Sequence, residues 1–442
     1  MLGIFSGMRE WVYPQGIKGT FQKVHRWSAL AFHLWLIIVP WIYVGGHPAV
    51  RLDLPSRKLY VLGSVFTSTD AFLLTLLALS AAFGLFFMTA LLGRIWCGYM
   101  CPQSVLMEEW VRPIEKFFEG DRSKRKRRDA GPWSFDRIWR KAAKLTAFLV
   151  AAWFISMSFG QWFAGAYELW TWQASAFDYS LVGFFTAIWF LDFAWFREQT
   201  CNYVCPYARF QGAMTDQHSL TISYDAERGE PRKKGKATGQ KGGCIDCNKC
   251  VVVCPQGIDI RDGFQLECIS CARCIDACET VMTRFDQPTL VRYSTYSKDE
   301  GKKLRIVRPR TLVYTALLLA LSGTMVAMLL MRTPIEAQVN RAPGTHYAVD
   351  ADEFVRNTYL LRIANNKGQG NDVAYSVRIE GLESPHVQVP PIHLDAGKSA
   401  TVPLIVRLPT DRAPASKPFQ VHVISAEGEV WLDATFQGPT GD

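Results

Sequence analysis

Apolar residues of this chain are concentrated in long uncharged segments. Ala71 to Leu92 and Thr311 to Met331 each contain more than twenty residues without a charged side chain. Such segments are long enough to cross a hydrocarbon core of about 30 Å as helices. Three shorter segments continue the pattern, Ser28 to Val44, Leu145 to Phe163 and Leu181 to Phe196. The pattern therefore predicts a transmembrane bundle of about five helices.

The C-terminal quarter of the chain follows a different periodicity, in which apolar and polar positions alternate. Val373 to Ile379 and Phe419 to Ile424 are examples, and turn-forming residues such as Gly381 and Gly428 separate these runs. Alternation with a period of two is typical of strands that bury one face. Residues 332–442 are therefore predicted to form an antiparallel, immunoglobulin-like β-sandwich.

Lysine and arginine are unevenly distributed between the predicted loops. The segment before the first predicted helix is basic, and so is the run at 122–128, whereas the loop from Ala164 to Ser180 has neither lysine nor arginine. Three basic residues between 51 and 58 are the exception to this pattern. Because positively charged loops stay in the cytoplasm, we expect the N terminus and the cysteine-rich segment inside and the sandwich in the periplasm.

Composition and charge agree with a membrane protein. Of the 442 residues, 49% are hydrophobic and 13% aromatic, which indicates that part of the chain meets lipid. The net charge of +9 is concentrated in the predicted inner loops, so we attribute it to topology and anionic lipid rather than to nucleic-acid binding. All twelve cysteines precede residue 279, which places them on the predicted reducing side.

The two densest cysteine clusters have the spacing C-x-x-C-x-x-C-x-x-x-C, beginning at Cys244 and Cys268. This spacing is typical of bacterial ferredoxins with two 4Fe-4S clusters, in which the fourth cysteine of each run binds the other cluster. The predicted ligands are Cys244, Cys247, Cys250 and Cys278 for one cluster, and Cys268, Cys271, Cys274 and Cys254 for the other. Glu279 replaces the proline of the bacterial pattern and leaves the ligands complete. A pair of zinc ribbons is the structural alternative.

Two further cysteine pairs share the pattern C-x-x-x-C-P, namely Cys97 with Cys101 and Cys201 with Cys205. Each pair follows a predicted helical hairpin, which suggests a parallel internal repeat. Cysteines at i and i+4 of a helix face the same way, so the four thiols are predicted to converge. Thiolates favour Cu(I) over Cu(II), which predicts a copper or redox site. A third iron-sulfur centre and four packed thiols without a ligand are the alternatives.

Two histidines lie near the first predicted helix, His25 just before it and His33 within it. His25 lies at its cytoplasmic end, where it is a candidate nitrogen ligand for the cysteine site or an interfacial residue. His33 lies eight residues further on, about 80° off a common helical face.

Three acidic residues lie near the cysteine pairs. Asp192 falls within the fourth predicted span, where an ionisable group is by default a functional candidate. Pairing with Arg94 or Arg197 is the other interpretation. Glu108 and Glu109 are interpreted as surface charges.

The motifs CGYMCP and CNYVCP, the segment CIDCNKCVVVCPQGIDIRDGFQLECISCARCIDACETVM and the β-domain occur in this order. With them, the chain resembles the cytochrome c oxidase accessory proteins called CcoG, FixG or RdxA over nearly its whole length. The resemblance implies a polyferredoxin of the bacterial inner membrane that reduces Cu(II) to Cu(I) for assembly of a C-type haem-copper oxidase. It implies that the eight ferredoxin cysteines carry electrons and that Cys97, Cys101, Cys201 and Cys205 are the candidate copper site.

The predicted architecture is a multidomain membrane protein. Its parts are a cytoplasmic N-terminal segment, a four-helix transmembrane region, a flexible basic tether, a cytoplasmic dicluster ferredoxin domain, a fifth transmembrane helix and an exported sandwich. These cover residues 1–27, 28–223, 224–243, 244–310, 311–331 and 332–442 respectively.

The predicted partners are the lipid bilayer, a cytoplasmic electron donor, copper, and oxidase subunits or copper-handling assembly factors. Two other functions stay open. The chain also resembles the membrane ferredoxins of nitrate and nitrous-oxide respiration, which would make it a quinol-linked electron conduit. A non-catalytic assembly scaffold, in which the sandwich grips an oxidase subunit, is the third hypothesis.

Overall fold

The structure is a computed structural model that describes residues 11–44, 47–67, 70–232, 242–331, 335–365, 373–395, 398–426 and 428–439. The chain divides into two compact units. The first contains Met1–Ile38, Leu74–Gln161 and Tyr167–Thr324, and the second contains Val39–Leu73, Trp162–Ala166 and Met325–Asp442.

Helices dominate the first unit. In the described residues the α-helices are α1 Thr20–Ile38, α2 Ala71–Leu92, α3 Ile95–Tyr99, α4 Pro102–Leu106, α5 Arg112–Glu119, α6 Arg122–Ala130, α7 Phe135–Ala164, α8 Ala166–Trp170, α9 Ala176–Leu191, α10 Pro206–Met214, α11 Ala226–Gly229, α12 Lys249–Val252, α13 Arg273–Met282, α14 Tyr296–Asp299 and α15 Pro309–Leu330. Wider π-turns occupy Met107–Val111, Asp192–Phe196 and Thr200–Val204, and 3-10 turns occupy Val39–Trp41, Ile260–Asp262, Thr283–Phe285 and Thr410–Arg412.

Four helices of the described chain are long and apolar enough to cross a membrane, namely Ala71–Leu92, Phe135–Ala164, Ala176–Phe196 and Pro309–Leu330. The share of the apolar window that is buried by protein is 11% in Ala71–Leu92, 39% in Phe135–Ala164, 17% in Ala176–Phe196 and 0% in Pro309–Leu330. Apolar helices that are not covered by protein need lipid around them. Four of the five predicted spans are therefore found, three of them with earlier starts.

The first predicted span, Ser28 to Val44, differs from the structure. Helix α1 begins earlier, at Thr20, and ends at Ile38, and Tyr43–Val44 is a short strand. Because α1 includes Lys23 and Arg26 in its first half, its mean hydropathy falls below that of the four apolar helices. It is not among the candidate spans of the described chain.

The cysteine-rich segment folds around a two-stranded antiparallel sheet, β6 Thr221–Tyr224 and β7 Val291–Ser294, in which Ile222 pairs with Tyr293. A buried core joins this sheet to the two cysteine loops and to α13. Its members are Ile222, Ile260, Cys268, Ala272, Ile275 and Val291. Phe21 of α1 packs against this core, so the first long helix and the ferredoxin segment share one apolar centre.

The predicted flexible tether, residues 224–243, is wrong in its first part. Tyr224 ends β6, and Asp225 caps helix α11 by accepting a hydrogen bond from the Arg228 backbone N–H at 3.2 Å. The backbone N–H of Asp225 in turn donates to the Leu290 carbonyl. The composition of this segment suggested a flexible loop, but these contacts hold its first residues against the segment that precedes β7. Residues 233–241 lie outside the described residues.

The second unit contains the predicted sandwich, which the structure confirms. Its strands are β8 Ile335–Arg341, β9 Ala348–Val349, β10 Phe354–Asn365, β11 Val373–Glu380, β12 His386–Gln388, β13 Ile392–Leu394, β14 Ser399–Pro409, β15 Ser416–Ser425 and β16 Gly428–Gln437. One sheet has the order β12-β14-β10-β8, with β9 also paired to β10, and the other has the order β13-β11-β15-β16. Alternate side chains, such as Leu361 and Ile363 of β10, fill the core between them.

This unit also contains short strands from the loop that follows α1. They are β1 Tyr43–Val44, β2 His47–Pro48, β3 Val50–Asp53, β4 Lys58–Val61 and β5 Ser64–Phe66. β1 pairs with β2, and β3, β4 and β5 form a three-stranded antiparallel sheet.

Candidate functional site

The two C-x-x-x-C-P motifs adopt the same local structure. In each, the second cysteine lies just after a helical turn and immediately before a helix that starts at proline. Its backbone N–H reaches back five residues, from Cys101 to Trp96 at 2.9 Å and from Cys205 to Thr200 at 2.8 Å. Proline suits the first position of a helix because it has no N–H to satisfy there. The helix predicted to carry each pair therefore ends before the second cysteine, and the two motifs share this local geometry.

The four paired cysteines, Cys97, Cys101, Cys201 and Cys205, lie together. Burial raises the pKa of the Cys97 thiol to about 11, and Cys101 and Cys205 are close enough to contribute to the rise. Burial likewise raises the pKa of the Cys201 thiol, and the other three thiols add to it. Each thiol is partly exposed. The two pairs therefore lie within electrostatic range of each other, which supports the predicted convergence.

Gln211 is the polar neighbour of Cys97. The amide is fully buried, and its Nε2 donates a hydrogen bond to Cys97 Sγ at 3.2 Å. A hydrogen bond to sulfur favours the thiolate, and it lowers the pKa that burial alone would give Cys97. Sequence spacing gave no signal for this residue, since it lies on α10 beyond the second motif.

The second cluster set, Cys254, Cys268, Cys271 and Cys274, is gathered as the crossed spacing predicts. Burial raises the pKa of each thiol, and the sulfurs lie within electrostatic range of one another. Cys254 thus stands with the three cysteines of the other motif. We propose that these four cysteines are the ligands of one 4Fe-4S cluster, and their grouping supports the proposal.

The first cluster set, Cys244, Cys247, Cys250 and Cys278, is closer to solvent. Cys247 is exposed and the other three are partly exposed. Burial raises the pKa of Cys250 to about 12, and both Cys278 and Cys247 lie close enough to contribute. Cys278, the last cysteine of the second motif, is therefore grouped with cysteines of the first motif, just as Cys254 of the first motif is grouped with those of the second.

The backbone around the two motifs fits a pair of iron-sulfur clusters. Asp246 and Asn248 in the first motif, and Ser270 and Ala272 in the second, have φ between 53° and 58° at equivalent positions. This repeated left-handed geometry turns peptide N–H groups toward the sulfurs. Backbone donors include Gln256, Gly257 and Ile258 for Cys254, Ser270 for Cys268 and Arg273 for Cys271. Such donors compensate thiolate charge and tune iron-sulfur potentials.

Within the described residues, no three His, Cys, Asp or Glu side chains converge tightly enough to hold a single metal ion. Cubane ligands each bind a different iron, so their sulfurs stand further apart than the ligands of one ion. The arrangement of the two cluster sets is consistent with that requirement.

The predicted polar candidates have different surroundings. His25 is 3% exposed, and its Nδ1 lies 3.7 Å from Glu109 Oε1 without a hydrogen-bond partner in the described chain. His33 is held by Trp110, whose Nε1 donates to its Nε2 at 2.8 Å, and by the Ala29 carbonyl. His33 is therefore a packing residue, whereas His25 remains a candidate ligand.

Asp192 is held by polar neighbours rather than by the predicted arginines. Gln103 Nε2 donates to its two carboxylate oxygens at 3.1 and 2.8 Å, and Thr200 donates at 2.5 Å. Since Gln103 follows the first cysteine motif and Thr200 precedes the second, Asp192 ties the two halves of the repeat together.

Three comparisons place the chain among known proteins. Residues 196–296 match the family described as "4Fe-4S dicluster domain", residues 74–124 match "4Fe-4S binding domain", and residues 325–439 match "IG-like fold at C-terminal of FixG". The chain is 34% identical to the nitrogen fixation protein FixG of Rhizobium meliloti, over 89% of this chain and 84% of that one. It is 32% identical to the protein RdxA of Cereibacter sphaeroides, over 84% and 82%.

The chain belongs to the FixG/RdxA family. A crystal structure of a FixG-related protein from Vibrio parahaemolyticus covers 24% of this chain and 97% of that chain, at 18% identity and a TM-score of 0.22. With its two 4Fe-4S binding domains and its apolar helices, this FixG/RdxA protein is an iron-sulfur electron-transfer protein of a membrane. The match at 74–124 includes Cys97 and Cys101, and the match at 196–296 includes Cys201 and Cys205.

A buried ionic network in this FixG/RdxA chain escaped sequence reasoning. Glu115 is 2% exposed and accepts from Arg125 and Arg197, each at 2.5 Å, and Arg112 lies 3.5 Å away. Arg112 also pairs with Glu198, next to Arg197. The network fixes the segment before the second cysteine motif to α5. Only the tertiary structure brings these charges together.

A second missed ion pair joins the ferredoxin loop to the first motif region. Arg273, between Cys271 and Cys274, pairs with Glu108, so the predicted surface role of Glu108 is wrong. Burial opposes ionisation of Glu108, but the guanidinium groups of Arg273 and Arg112 hold its pKa below the usual range.

The two cysteine systems of the FixG/RdxA chain are in direct contact. A Cβ on Gly98, between Cys97 and Cys101, would lie 2.7 Å from the Ile269 carbonyl oxygen and 3.0 Å from the Cys271 backbone N. Only glycine allows this approach. A cavity of about 30 Å³, lined by Cys201, Cys271 and His25 among others, lies at the same contact and is large enough for a water molecule. The second cluster set therefore adjoins the four paired cysteines.

Proposed function

We propose that this protein reduces Cu(II) to Cu(I) at the four paired cysteines, for assembly of a C-type haem-copper cytochrome c oxidase. The observation that supports it is the close approach of Gly98, between Cys97 and Cys101, to the backbone of Ile269 and Cys271. Iron-sulfur clusters, when bound, supply reversible one-electron transfer. The paired thiols supply the soft ligands that favour the reduced ion.

Each group of residues has a role in this proposal. The first cluster set, with exposed Cys247, faces the cytoplasmic electron donor. The backbone of Ile269 and Cys271 lies between the second cluster set and Gly98. Cys97, Cys101, Cys201 and Cys205 bind the copper substrate, with His25 as a candidate nitrogen ligand. Oxidase subunits or copper-handling assembly factors receive the product.

The experiment that tests this function starts from protein reduced anaerobically and then freed of excess dithionite, because free dithionite itself reduces Cu(II). Addition of Cu(II) with a Cu(I)-specific chelator should give Cu(I) in proportion to the electrons stored. The variant with all four paired cysteines replaced by serine should store electrons in the ferredoxin domain but form Cu(I) much more slowly. Equal rates in the two proteins would remove the copper assignment.

A third iron-sulfur centre at the paired cysteines is the second candidate. The match of residues 74–124 to a 4Fe-4S binding family favours it, since this range includes Cys97 and Cys101. The thiols also do not form an ion-sized group within the described residues. Iron and sulfide counting decides between the two: two clusters give about eight irons per chain, and a further centre gives more.

The membrane orientation completes the proposal. We place the N terminus and ferredoxin domain in the cytoplasm and the sandwich in the periplasm, with α1 as a fifth crossing. Side chains along α1 support this, since Leu30, Leu34, Trp35 and Ile38 are each between 46% and 54% exposed. A helix of 19 residues is about 28 Å long, close to the hydrocarbon thickness. Fusion of a periplasm-dependent reporter to the C terminus should be active, and a fusion before Cys244 inactive.

A further inference from the structure

An open groove of about 320 Å³ reaches one of the four paired cysteines. It is lined by Arg94, Cys201, Asn202, Tyr203, Ala208, Leu266 and Glu267. Among the described residues that line it, Cys201 is the one thiol. Cys201 also lines the smaller cavity that Cys271 lines. Cys201 therefore belongs both to the groove and to the cavity beside the second cluster set.

The groove is held in shape by Arg94. This guanidinium is 5% exposed and donates hydrogen bonds to the carbonyls of Leu266, Cys268 and Ala208. It therefore connects the end of α2, the helix after the second motif and the loop before Cys268. Because its donors are turned to backbone carbonyls, Arg94 shapes the groove rather than offering an anion site.

The donors along the groove differ in softness. Glu267 carries a carboxylate, Asn202 an amide and Tyr203 a phenol, and all three line the groove together with Cys201. Oxygen and nitrogen ligands suit Cu(II), whereas thiolates select Cu(I). A groove that combines oxygen donors with a thiol matches the ligand preference of copper before and after it gains an electron.

We propose that this groove is the entry site for the cupric substrate. Glu267 is its first ligand, and Leu266 forms the wall of the passage through which the ion reaches Cys201. The proposal rests on the proposed cupric reduction. It names where the substrate enters, which the sequence spacing did not indicate.

The test uses full-length protein in detergent and two groove variants, Glu267→Gln and Leu266→Trp. Each has a matched control elsewhere on the ferredoxin segment. Glu279→Gln removes another exposed carboxylate beside a cluster cysteine, and Leu304→Trp enlarges another exposed leucine. Binding of Cu(II) to the oxidised protein is followed by electron paramagnetic resonance, and Cu(I) formation by the reduced, dithionite-free protein is followed with the chelator.

Glu267→Gln should weaken Cu(II) binding and slow Cu(I) formation by about tenfold, the lower end of the range for loss of a supporting metal contact. Leu266→Trp should have a similar effect because the larger side chain fills the groove. The two controls should match the parent protein, and iron content should be unchanged in all four. Groove variants that bind and reduce copper at parental levels would overturn the entry site. A parent protein that forms no Cu(I) would instead refute the proposed function. The Cu(II) binding data alone would then show whether the groove is a copper site.

Discussion

Asp276 caps a helix that is more than 250 positions away in the chain. Its Oδ2 accepts the backbone N–H of Gln22 at 2.8 Å, and its Oδ1 accepts the N–H of Phe21 at 3.1 Å. These are the first-turn donors of α1, which have no partner within the helix. Gly19, at the usual capping position, has no side chain, and a Cβ there would collide with Asp276. The ferredoxin helix thus supplies the cap that α1 lacks.

Replacing this carboxylate should loosen α1 from the ferredoxin domain. Asp276→Ala removes both acceptors and should lower the free energy of unfolding by about 1–2 kcal/mol, as loss of an N-cap does. Asp276→Asn keeps one acceptor oxygen and should lose less. Thermal denaturation in detergent and hydrogen exchange at the amides of Phe21 and Gln22 measure the two effects.

Glu279→Ala is the control for the cap, because this exposed residue lies on the same helix. Its effect on stability should stay within about 0.5 kcal/mol. If Asp276→Ala left the exchange rates at Phe21 and Gln22 unchanged, the capping role would be refuted.

The crossed ligand sets predict which serine variants share a phenotype. Cys254→Ser and Cys271→Ser should abolish or alter the same electron paramagnetic resonance signal of the reduced protein. Cys247→Ser should affect the other signal, because its sulfur groups with Cys250 and Cys278. Each variant should lower the iron content by up to about four atoms per chain. If the spectrum of Cys254→Ser matched that of Cys247→Ser, Cys254 would bind the cluster of its own motif and the crossed assignment would be wrong.

Much of the ferredoxin site was predictable because its determinants are local. Three cysteines of each set lie within seven residues, and the same left-handed positions recur in both motifs. The β-sandwich was predictable for a similar reason, since alternation is a property of each strand.

Other parts of the site depend on distant residues and gave no local signal. Gln211 reaches Cys97 across 114 positions, and Asp276 reaches Gln22 across 254. The predicted helix through each C-x-x-x-C-P pair was wrong because proline ends the preceding turn and starts a new helix. The start of the tether was mistaken for a flexible segment because its strand pairing with β7 and its backbone contact with Leu290 come from residues after 280.

Stability should depend on pH through Glu115. Burial alone would raise the pKa of Glu115, but the guanidinium groups of Arg197, Arg112 and Arg125 lower it from 4.5 to about 2. Since the folded-state pKa is the lower one, the carboxylate stabilises the fold above about pH 4.5. This contribution is lost as the pH falls toward 2. Thermal denaturation across that interval should show the loss.

Glu115→Gln should be destabilised at pH 7 by about 3–5 kcal/mol, because it leaves buried arginines without their counter-charge. Its stability should also fall less steeply than that of the parent between pH 4.5 and 2. Glu300→Gln removes half of the exposed pair with Lys302 and should change stability by about 0.5 kcal/mol or less. Parallel pH profiles for Glu115→Gln and the parent would contradict the assigned pKa.

The contact between the two cysteine systems should be sensitive to a single methyl group at Gly98. Gly98→Ala places a Cβ 2.7 Å from the Ile269 carbonyl oxygen, and relief of that overlap must move the cysteine loop away from the paired thiols. Overpacking of this kind typically costs about 1–3 kcal/mol. We expect normal iron content but slower Cu(I) formation, with Gly98→Val more severe. Gly183→Ala, which meets no atom within 4 Å, should behave as the parent, and equal rates for Gly98→Ala and Gly183→Ala would exclude this contact as the electron path.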